Sequence, residues 1–225
     1  MRRLFSVGAF QQAFVPVLSE YRQQADSVDI KQFVNVMAGL LLSATLITTL
    51  IAMLCAPIIV TLFVPGFLND PQRFDLATML LRWTMPYLCF ISLTAFAGSI
   101  LNCYGRFGVP AFTPVLLNAS MIGCAFVLQD SFAEPITSLA VGVFVGGVLQ
   151  CLLQWPFLKR LTLVPKPKLS LKHLGANKVL TLMIPAIFGA SVVQLGLYVD
   201  TLFASFLPVG SVSWLYYSDL LTAFP

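Results

Sequence analysis

Long apolar windows without a charged residue are the feature of this sequence that most restricts its fold. Residues 33–63, 109–128 and 135–158 contain no Asp, Glu, Lys or Arg. At 1.5 Å per residue, about 20 helical residues cross the roughly 30 Å hydrocarbon layer of a membrane. The composition agrees, because 58% of the residues are hydrophobic and 10% are charged, whereas about a quarter are charged in a soluble domain. We therefore predict an all-α polytopic membrane protein.

The apolar windows define seven predicted membrane segments. The first and the last are shorter than a full crossing, so we expect the chain to be a fragment of a longer protein. The second is longer than one crossing needs, which predicts tilt or an extension into the interface near Pro57. The segments are residues 3–18, 33–63, 76–102, 109–128, 135–158, 179–206 and a last one that starts near residue 211.

The basic residues of the connecting loops predict the orientation. Lys and Arg in short loops favour the cytoplasmic side, and nine of the thirteen lie in one alternate set of loops, whereas the opposite set contains only Arg73. The first set is therefore predicted to be cytoplasmic. It comprises 19–32, 103–108 and 159–178, and the opposite set comprises 64–75, 129–134 and 207–210.

Loop 159–178 also predicts the domain organisation. It carries six basic residues and separates a group of helices in 1–158 from the start of a second group in 179–225. We interpret it as a basic cytoplasmic linker. Its side chains can contact anionic lipid headgroups at about 1 kcal/mol each, so membrane lipids, and not nucleic acid, are the expected partners of this charge. Residues 168–178 are predicted to lie along the interface.

Arg2 and Arg3 conflict with the loop charges, because the same orientation puts them on the outer side or within the membrane. A signal peptide is one interpretation, but Gln11 and Gln12 interrupt its apolar core and no small-x-small cleavage site follows. In a second interpretation the arginines snorkel to the outer headgroups. In a third they lie inside the bilayer, where charges usually face a cavity. Residues 3 to 20 span about 25 Å of helix, which leaves both of the last two open.

Asp200 is the second candidate functional residue. It is predicted to lie about six residues inside its segment, and no basic residue is near it in sequence. An acid at that depth must be protonated, bind a cation or pair with another helix, so we predict a functional role; simple proximity to the membrane interface is the alternative. Arg82 is nearer a boundary, where snorkelling is expected, and Asp219 fits either interpretation.

Small residues and prolines predict how the helices pack. Gly142 and Gly146 form a small-x-x-x-small face that lets two backbones approach. Pro86 and Pro185 fall within predicted segments, where each removes a hydrogen bond and can bend the helix. Kinked helices suit a transporter but are also found in many other membrane proteins.

No enzymatic motif supports catalysis. The single histidine, His173, lies in the basic loop, and the sequence has no metalloprotease, nucleophile-elbow or phosphate-loop pattern. The five cysteines have no metal-ligand spacing and are interpreted as small apolar core residues. They are Cys55, Cys89, Cys103, Cys124 and Cys151.

Several separated motifs occur in one order along the whole chain. They are Arg-Arg-Leu-Phe-Ser-Val-Gly-Ala-Phe-Gln-Gln-Ala-Phe-Val-Pro-Val at 2–17, Pro-Ala-Phe-Thr-Pro-Val-Leu-Leu-Asn at 110–118, Pro-Ala-Ile-Phe-Gly-Ala-Ser at 185–191, Phe-Ala-Ser-Phe-Leu at 203–207 and Gly-Ser-Val-Ser-Trp-Leu-Tyr-Tyr-Ser-Asp at 210–219. In this order they closely resemble the MurJ/MviN family of lipid II flippases. Members of that family are about twice as long, so the resemblance predicts a fragment that covers about helices 2 to 8.

The resemblance implies a fold and a function. The fold is that of the multidrug/oligosaccharidyl-lipid/polysaccharide exporter superfamily, in which two lobes form a V around a cationic cavity; 1–158 would belong to the first lobe and 179–225 would begin the second. The function would be transfer of the lipid-linked peptidoglycan precursor from the inner to the outer leaflet of the bacterial cytoplasmic membrane by alternating access, and not an enzymatic reaction. Cell-wall synthases are the implied protein partners.

The resemblance also implies roles for the candidate residues. Arg2 matches a cavity arginine and Arg3 is its neighbour, so both are predicted to bind substrate, since arginine neutralises pyrophosphate with paired hydrogen bonds. Asp200 matches a position that helps to bind sodium in some members, which predicts a cation site there. No other cofactor is expected.

The sequence departs from the family motifs in two places. Ser6 and Val7 replace the usual Ala-Glu pair, and Leu220 replaces an arginine of the cavity. These departures keep two alternatives open. One is a related exporter of a drug or another lipid-linked saccharide, and the other is a membrane fragment that does not transport.

Overall fold

The computed structural model describes residues 8–132, 134–170, 173–207 and 211–222, and these residues form helices and no strand. Two short 3₁₀ turns, Pro65–Asn69 and Gln129–Ser131, lie between helices. The helices are α1 (Gly8–Gln24), α2 (Ser27–Leu54), α3 (Ala56–Phe63), α4 (Pro71–Thr84), α5 (Tyr87–Cys103), α6 (Gly108–Leu128), α7 (Ile136–Arg160), α8 (Leu174–Ala204) and α9 (Ser211–Thr222).

Four described segments are long and apolar enough to cross a membrane. They agree with the second to fifth predicted segments, and they are Ser27–Leu54, Pro71–Cys103, Gly108–Leu128 and Ile136–Arg160.

Two of the predicted segments are interrupted. The segment 33–63 breaks at Cys55, because Pro57 lies in the first turn of α3 and cannot continue the hydrogen-bond ladder of α2. The segment 76–102 breaks at Pro86, which ends the helix before it and precedes Tyr87 at the start of α5. Pro185, by contrast, lies inside a continuous helix.

Helix α8 begins five residues before the predicted membrane segment 179–206. The helix begins at Leu174 and includes Gly175. Gly175 is the second residue of this helix, outside the interior where a glycine costs about 1 kcal/mol relative to alanine.

An aromatic cluster joins α1, α2 and α5. The ring of Phe14 stacks on Phe33 with centroids 5.6 Å apart and lies 5.0 Å from Phe96, and all three side chains are fully buried. Aromatic pairs at such distances contribute about 0.5–1.5 kcal/mol beyond the area that they bury. The cluster extends to Leu158 and Val179, so it also fixes the end of α7 and the start of α8.

Helices α6 and α7 form a closely packed hairpin. A Cβ at Gly142 would lie 2.8 Å from the Cα of Met121, so only glycine fits there without a shift of the backbone. Gly146 faces Ser120 and Leu117 in the same way, and the Ser120 hydroxyl donates to the Gly142 carbonyl at 2.9 Å. The prediction that Gly142 and Gly146 form a helix-packing face is confirmed.

We expect Gly142→Val to destabilise this hairpin by about 1–3 kcal/mol, the usual cost of overpacking. Gly123→Val is the matched control, since Gly123 also lies in the hairpin, on α6, and a Cβ added there would meet nothing within 4 Å. Thermal unfolding in detergent checks the difference. An equal loss of stability in the two variants would contradict the packing role of Gly142.

Candidate functional site

Helix α8 carries Asp200 and joins the two predicted groups of helices. It is 31 residues long and follows the basic linker. Its contacts with the preceding helices lie mainly along α1, with smaller ones to α2 and α3. The two ends of α8 are held by different kinds of contact.

The end of α8 next to the linker is packed against α1. Ala176 and Val179 are fully buried, and Gly175 lies so close to Tyr21 that an added Cβ would be 2.6 Å from its hydroxyl oxygen. Lys178 Nζ forms an ion pair with Glu20 Oε2 at 2.5 Å. The loop charges predict that this is the cytoplasmic end of the bundle.

The far end of α8 is held by hydrogen bonds to the segment after α2. The Tyr198 hydroxyl donates to the Leu62 carbonyl at 2.9 Å, and the Tyr198 ring packs edge-on against Phe63 with centroids 4.9 Å apart. The backbone N–H of Gly66 donates to Ser205 Oγ at 3.3 Å. Backbone groups of α3 and the following 3₁₀ turn thus bind α8 at the opposite end of the bundle.

The central part of α8 has a broad apolar surface. Its large side chains are mostly exposed. A membrane helix can present such a surface to lipid or to another helix. The exposed side chains include Ile184, Phe188, Val192 and Leu195.

Asp200 lies in the last two turns of α8 and is exposed. Its carboxylate has no ion-pair partner within the described ranges. The neighbouring Thr201 hydroxyl donates to the Leu197 carbonyl at 2.8 Å. The carboxylate therefore remains available to a ligand or to another helix.

The other predicted site residues lie largely outside the described residues. Arg2 and Arg3 precede Gly8, the first described position, and so does Val7. The side chain of Asp219 also lies outside the described set. Leu220 is exposed on α9.

Arg82 is exposed, as the snorkelling interpretation expects. Its Nε donates to the carbonyl of Met53, the residue before the end of α2, at 3.4 Å. The arginine thus satisfies a carbonyl that lies at the break before Pro57, where helical hydrogen bonding is interrupted.

Sequence reasoning missed a buried polar network between α6 and α7. Gln150 and Gln154 are almost fully buried and donate from Nε2 to the carbonyl and the hydroxyl oxygen of Thr113, each at 3.2 Å. The i, i+4 spacing of two glutamines in an apolar window was the available signal. Interhelical hydrogen bonds of this kind contribute about 0.6–2 kcal/mol in membranes.

The cysteines have a more specific role than apolar packing. All five are free thiols, and three of them make polar contacts between helices, including Cys103, whose Sγ lies 3.8 Å from Ser19 Oγ. Cys89 Sγ lies 3.3 Å from Thr49 Oγ1, and Cys151 Sγ lies 3.3 Å from both Thr94 Oγ1 and the Phe90 carbonyl oxygen. The described residues include no group of three or more side chains that could bind a metal ion together.

Comparison with known proteins identifies the family. The family model of the lipid II flippase MurJ matches residues 1–225. The chain is 46% identical to a probable lipid II flippase MurJ of Haemophilus influenzae and 46% identical to one of Vibrio cholerae, in both cases over 100% of this chain. The chain belongs to the MurJ family. It spans less than half the length of these curated relatives, 46% of the first and 44% of the second.

A solved structure extends the likeness to three dimensions. A lipid II flippase MurJ in an inward closed conformation superposes with a TM-score of 0.76 at 27% identity, over 98% of this chain and 45% of that one. The predicted all-α polytopic class and the flippase fold are confirmed. The chain is part of a multi-pass protein of the bacterial inner membrane, like the other members of the MurJ family. The lobe boundaries and the roles of Arg2, Arg3 and Asp200 stay predictions.

We expect Glu20→Lys to lower the thermal stability of this MurJ-family chain, because it places two cations together where α1 packs against α8. Both side chains of the native pair are about half exposed, so water screens the pair and the effect should be below about 1 kcal/mol. Thermal unfolding in detergent measures it.

The charge-swapped pair Glu20→Lys/Lys178→Glu should recover most of that loss. The control Glu20→Lys/Lys31→Glu has the same net charge but does not rebuild the pair, so it should recover little. Equal recovery in the two double variants would show that net charge, and not the Glu20–Lys178 contact, determines the stability.

Proposed function

We propose that the protein containing this chain transfers lipid II, the lipid-linked peptidoglycan precursor, from the inner to the outer leaflet of the cytoplasmic membrane. The match of all 225 residues to the MurJ family model carries this proposal. The likeness of the fold to a lipid II flippase MurJ structure supports it. The proposed process is transport, and cell-wall synthases are the proposed protein partners, since they consume the precursor on the outer side.

Arg2 and Arg3 are the proposed substrate-binding residues. The cargo carries a pyrophosphate, whose negative charge is strongly disfavoured in hydrocarbon. Two adjacent guanidinium groups supply about ten N–H donors in planar arrays that match phosphate oxygens. The alternative in which they only snorkel to outer headgroups predicts that their charge is dispensable for transport.

Asp200 is the proposed cation-binding residue. Sodium is a hard cation that takes oxygen ligands, and the exposed carboxylate of Asp200 fits that chemistry. One carboxylate is a partial ligand set, so further oxygens must come from other helices. A bound cation would supply positive charge that neutralises this acid within the membrane.

The contacts at the two ends of α8 bear on how the proposed transport cycle moves the second group of helices. Its cytoplasmic end is held by the Glu20–Lys178 ion pair and by Gly175 under Tyr21, whereas its far end is held by Tyr198 and Ser205. Alternating access requires that one end opens while the other stays closed. The half-exposed ion pair contributes little by itself, but buried Ala176 and Val179 add packing at the cytoplasmic end, so alternating access would have to break a different kind of contact at each end.

A related exporter is the second candidate function, and Leu220 favours it. An exposed leucine at the position of a cavity arginine removes one phosphate contact. A carrier of a less highly charged lipid-linked saccharide or a drug needs fewer arginines. Transport of lipid II by the full-length protein separates the two candidates.

We expect Arg2→Ala in the full-length protein to abolish growth of a strain depleted of its own lipid II flippase. The expected cause is loss of a pyrophosphate contact, so membrane insertion, measured by immunoblotting of membrane fractions, should be unchanged. Arg73→Ala is the control, because Arg73 lies in the first turn of α4 and pairs there with the exposed Asp70, and it should complement fully. Normal growth with Arg2→Ala would overturn the role of Arg2.

We expect Asp200→Asn to abolish the sodium dependence of lipid II transport in proteoliposomes while preserving the size of the side chain. Asp75→Asn removes one exposed acid elsewhere and is the matched control. Sodium-independent transport by the wild type, together with no effect of Asp200→Asn, would contradict the proposed cation site at Asp200.

A further inference from the structure

A cavity of about 370 Å³ opens at the predicted cytoplasmic end of the helices in 1–158, and Asp200 is not among its lining residues. Three segments form it: the start of α2, the end of α7 and the turn with the linker that follows α7. They bring three lysines to one cavity, which we call the lysine cavity, from positions far apart in the sequence. Its lining residues are Lys31, Val34, Asn35, Lys159, Thr162, Leu163, Val164 and Lys166.

The charge of the lysine cavity is uncompensated. No acidic residue is among the described residues that line it, and none of its three lysines forms an ion pair within the described part of the chain. The nearest acid in sequence, Asp29, lines a different cavity with Tyr21 and His173. Three ammonium groups that share a concave surface without a counter-charge favour an anion with several oxygens.

Hydrogen bonds hold the walls of the lysine cavity in place. Asn35 fastens the linker to α2, since its side-chain oxygen accepts the N–H of Lys166 at 2.6 Å and its backbone carbonyl accepts the N–H of Lys168 at 3.0 Å. The linker backbone lies directly against Gly39, where any side chain would overlap the backbone of Lys168. The linker is thus positioned by specific contacts next to α2.

The turn after α7 is equally well defined. The N–H of Thr162 donates to the Lys159 carbonyl at 3.0 Å, and the N–H of Leu163 donates to the Leu158 carbonyl at 3.1 Å. These two bonds make a Schellman motif, in which Thr162 takes the left-handed position with φ of 57°. The buried side chains of Leu158 and Leu163 accompany it, so the turn holds the backbone of Lys159 at the edge of the cavity.

We propose that the lysine cavity binds the phosphate of an anionic phospholipid headgroup from the cytoplasmic leaflet. It lies where α2 and α7, two membrane-crossing candidates, reach the cytoplasmic boundary. Basic pockets at this depth match the position of lipid headgroups. Lysine binds phosphate as a point charge without fixed geometry, which suits a mobile headgroup.

The apolar part of the lining distinguishes a lipid from free phosphate. Val164 is the partly exposed apolar side chain of the lining, whereas Val34 and Leu163 are buried behind it, and hydrated inorganic phosphate gains nothing from such an apolar contact. A phospholipid places its glycerol and upper acyl carbons there. Asp200 is not among the residues that line this site, and the proposed ligand is a membrane phospholipid, so the proposal goes beyond the transport of lipid II.

Binding of single lipid molecules to the full-length protein in neutral detergent tests the proposal. Native mass spectrometry would compare phosphatidylglycerol with zwitterionic phosphatidylcholine, and inorganic phosphate would be titrated as a competitor. The test variant is Lys31→Gln/Lys159→Gln/Lys166→Gln. We expect about a hundredfold weaker binding of phosphatidylglycerol, since each ammonium near a lipid headgroup contributes about 1 kcal/mol and tenfold corresponds to about 1.4 kcal/mol.

The matched control is Arg106→Gln/Arg160→Gln/Lys168→Gln, which removes the same charge from cytoplasmic positions that do not line the lysine cavity. It should lose less than about threefold, because these side chains lie outside the cavity and act on the headgroup only through solvent. Replacement of the three cavity lysines by arginine should retain binding.

The three cavity lysines are exposed, so their replacement removes no buried packing, and unchanged thermal unfolding would verify that the test variant folds. Equal losses in the test and control variants would overturn the proposal. Inorganic phosphate that binds as tightly as phosphatidylglycerol would overturn it as well.

Discussion

Close approach of helix backbones is the constraint on which this structure depends. Lipid is as apolar as leucine, so burial of apolar side chains does not by itself drive membrane helices together. Contact must come from packing, which the Phe14–Phe33–Phe96 cluster provides between α1, α2 and α5 and glycines provide at other junctions. The backbone of α6 packs directly against Gly142, and the ring of Tyr21 packs against Gly175. The backbone of Ser205 lies equally close to Gly66. Without these positions α7 and α8 would stand away from their partners, and the hydrogen bonds between them would be too long.

Polar contacts then select one arrangement among those that close packing allows. Thr113, Gln150 and Gln154 link α6 to α7, while Tyr198 links α8 to the segment after α2. In hydrocarbon an unpaired polar group has no water to replace its partner. A shift of one helix along another would therefore break bonds that nothing restores. This specificity is compatible with transport because α8 is held at its two ends by different kinds of contact.

The membrane itself explains which predictions of the fold were correct. Long apolar windows predicted the helices from α2 to α7 because their length is set by the thickness of the hydrocarbon layer. The breaks at Cys55 and Pro86 needed the structure, since a proline can bend a helix or end it, and the outcome depends on neighbouring elements. The packing at the start of α8 also needed the structure, because Gly175 is visible in the sequence, but its contact with Tyr21 is not.

The sequence by itself determined the membrane class, the orientation expected from loop charges and the family resemblance, because composition and motif order are local properties of the chain. It also singled out Asp200, since an acid in an apolar window is conspicuous. Only the tertiary structure decided which residues meet. Lys31, Lys159 and Lys166 look like ordinary loop charges until the Asn35 contacts and the turn at Thr162 bring them to one cavity. Distances between residues far apart in sequence arise from packing, and no local pattern encodes them.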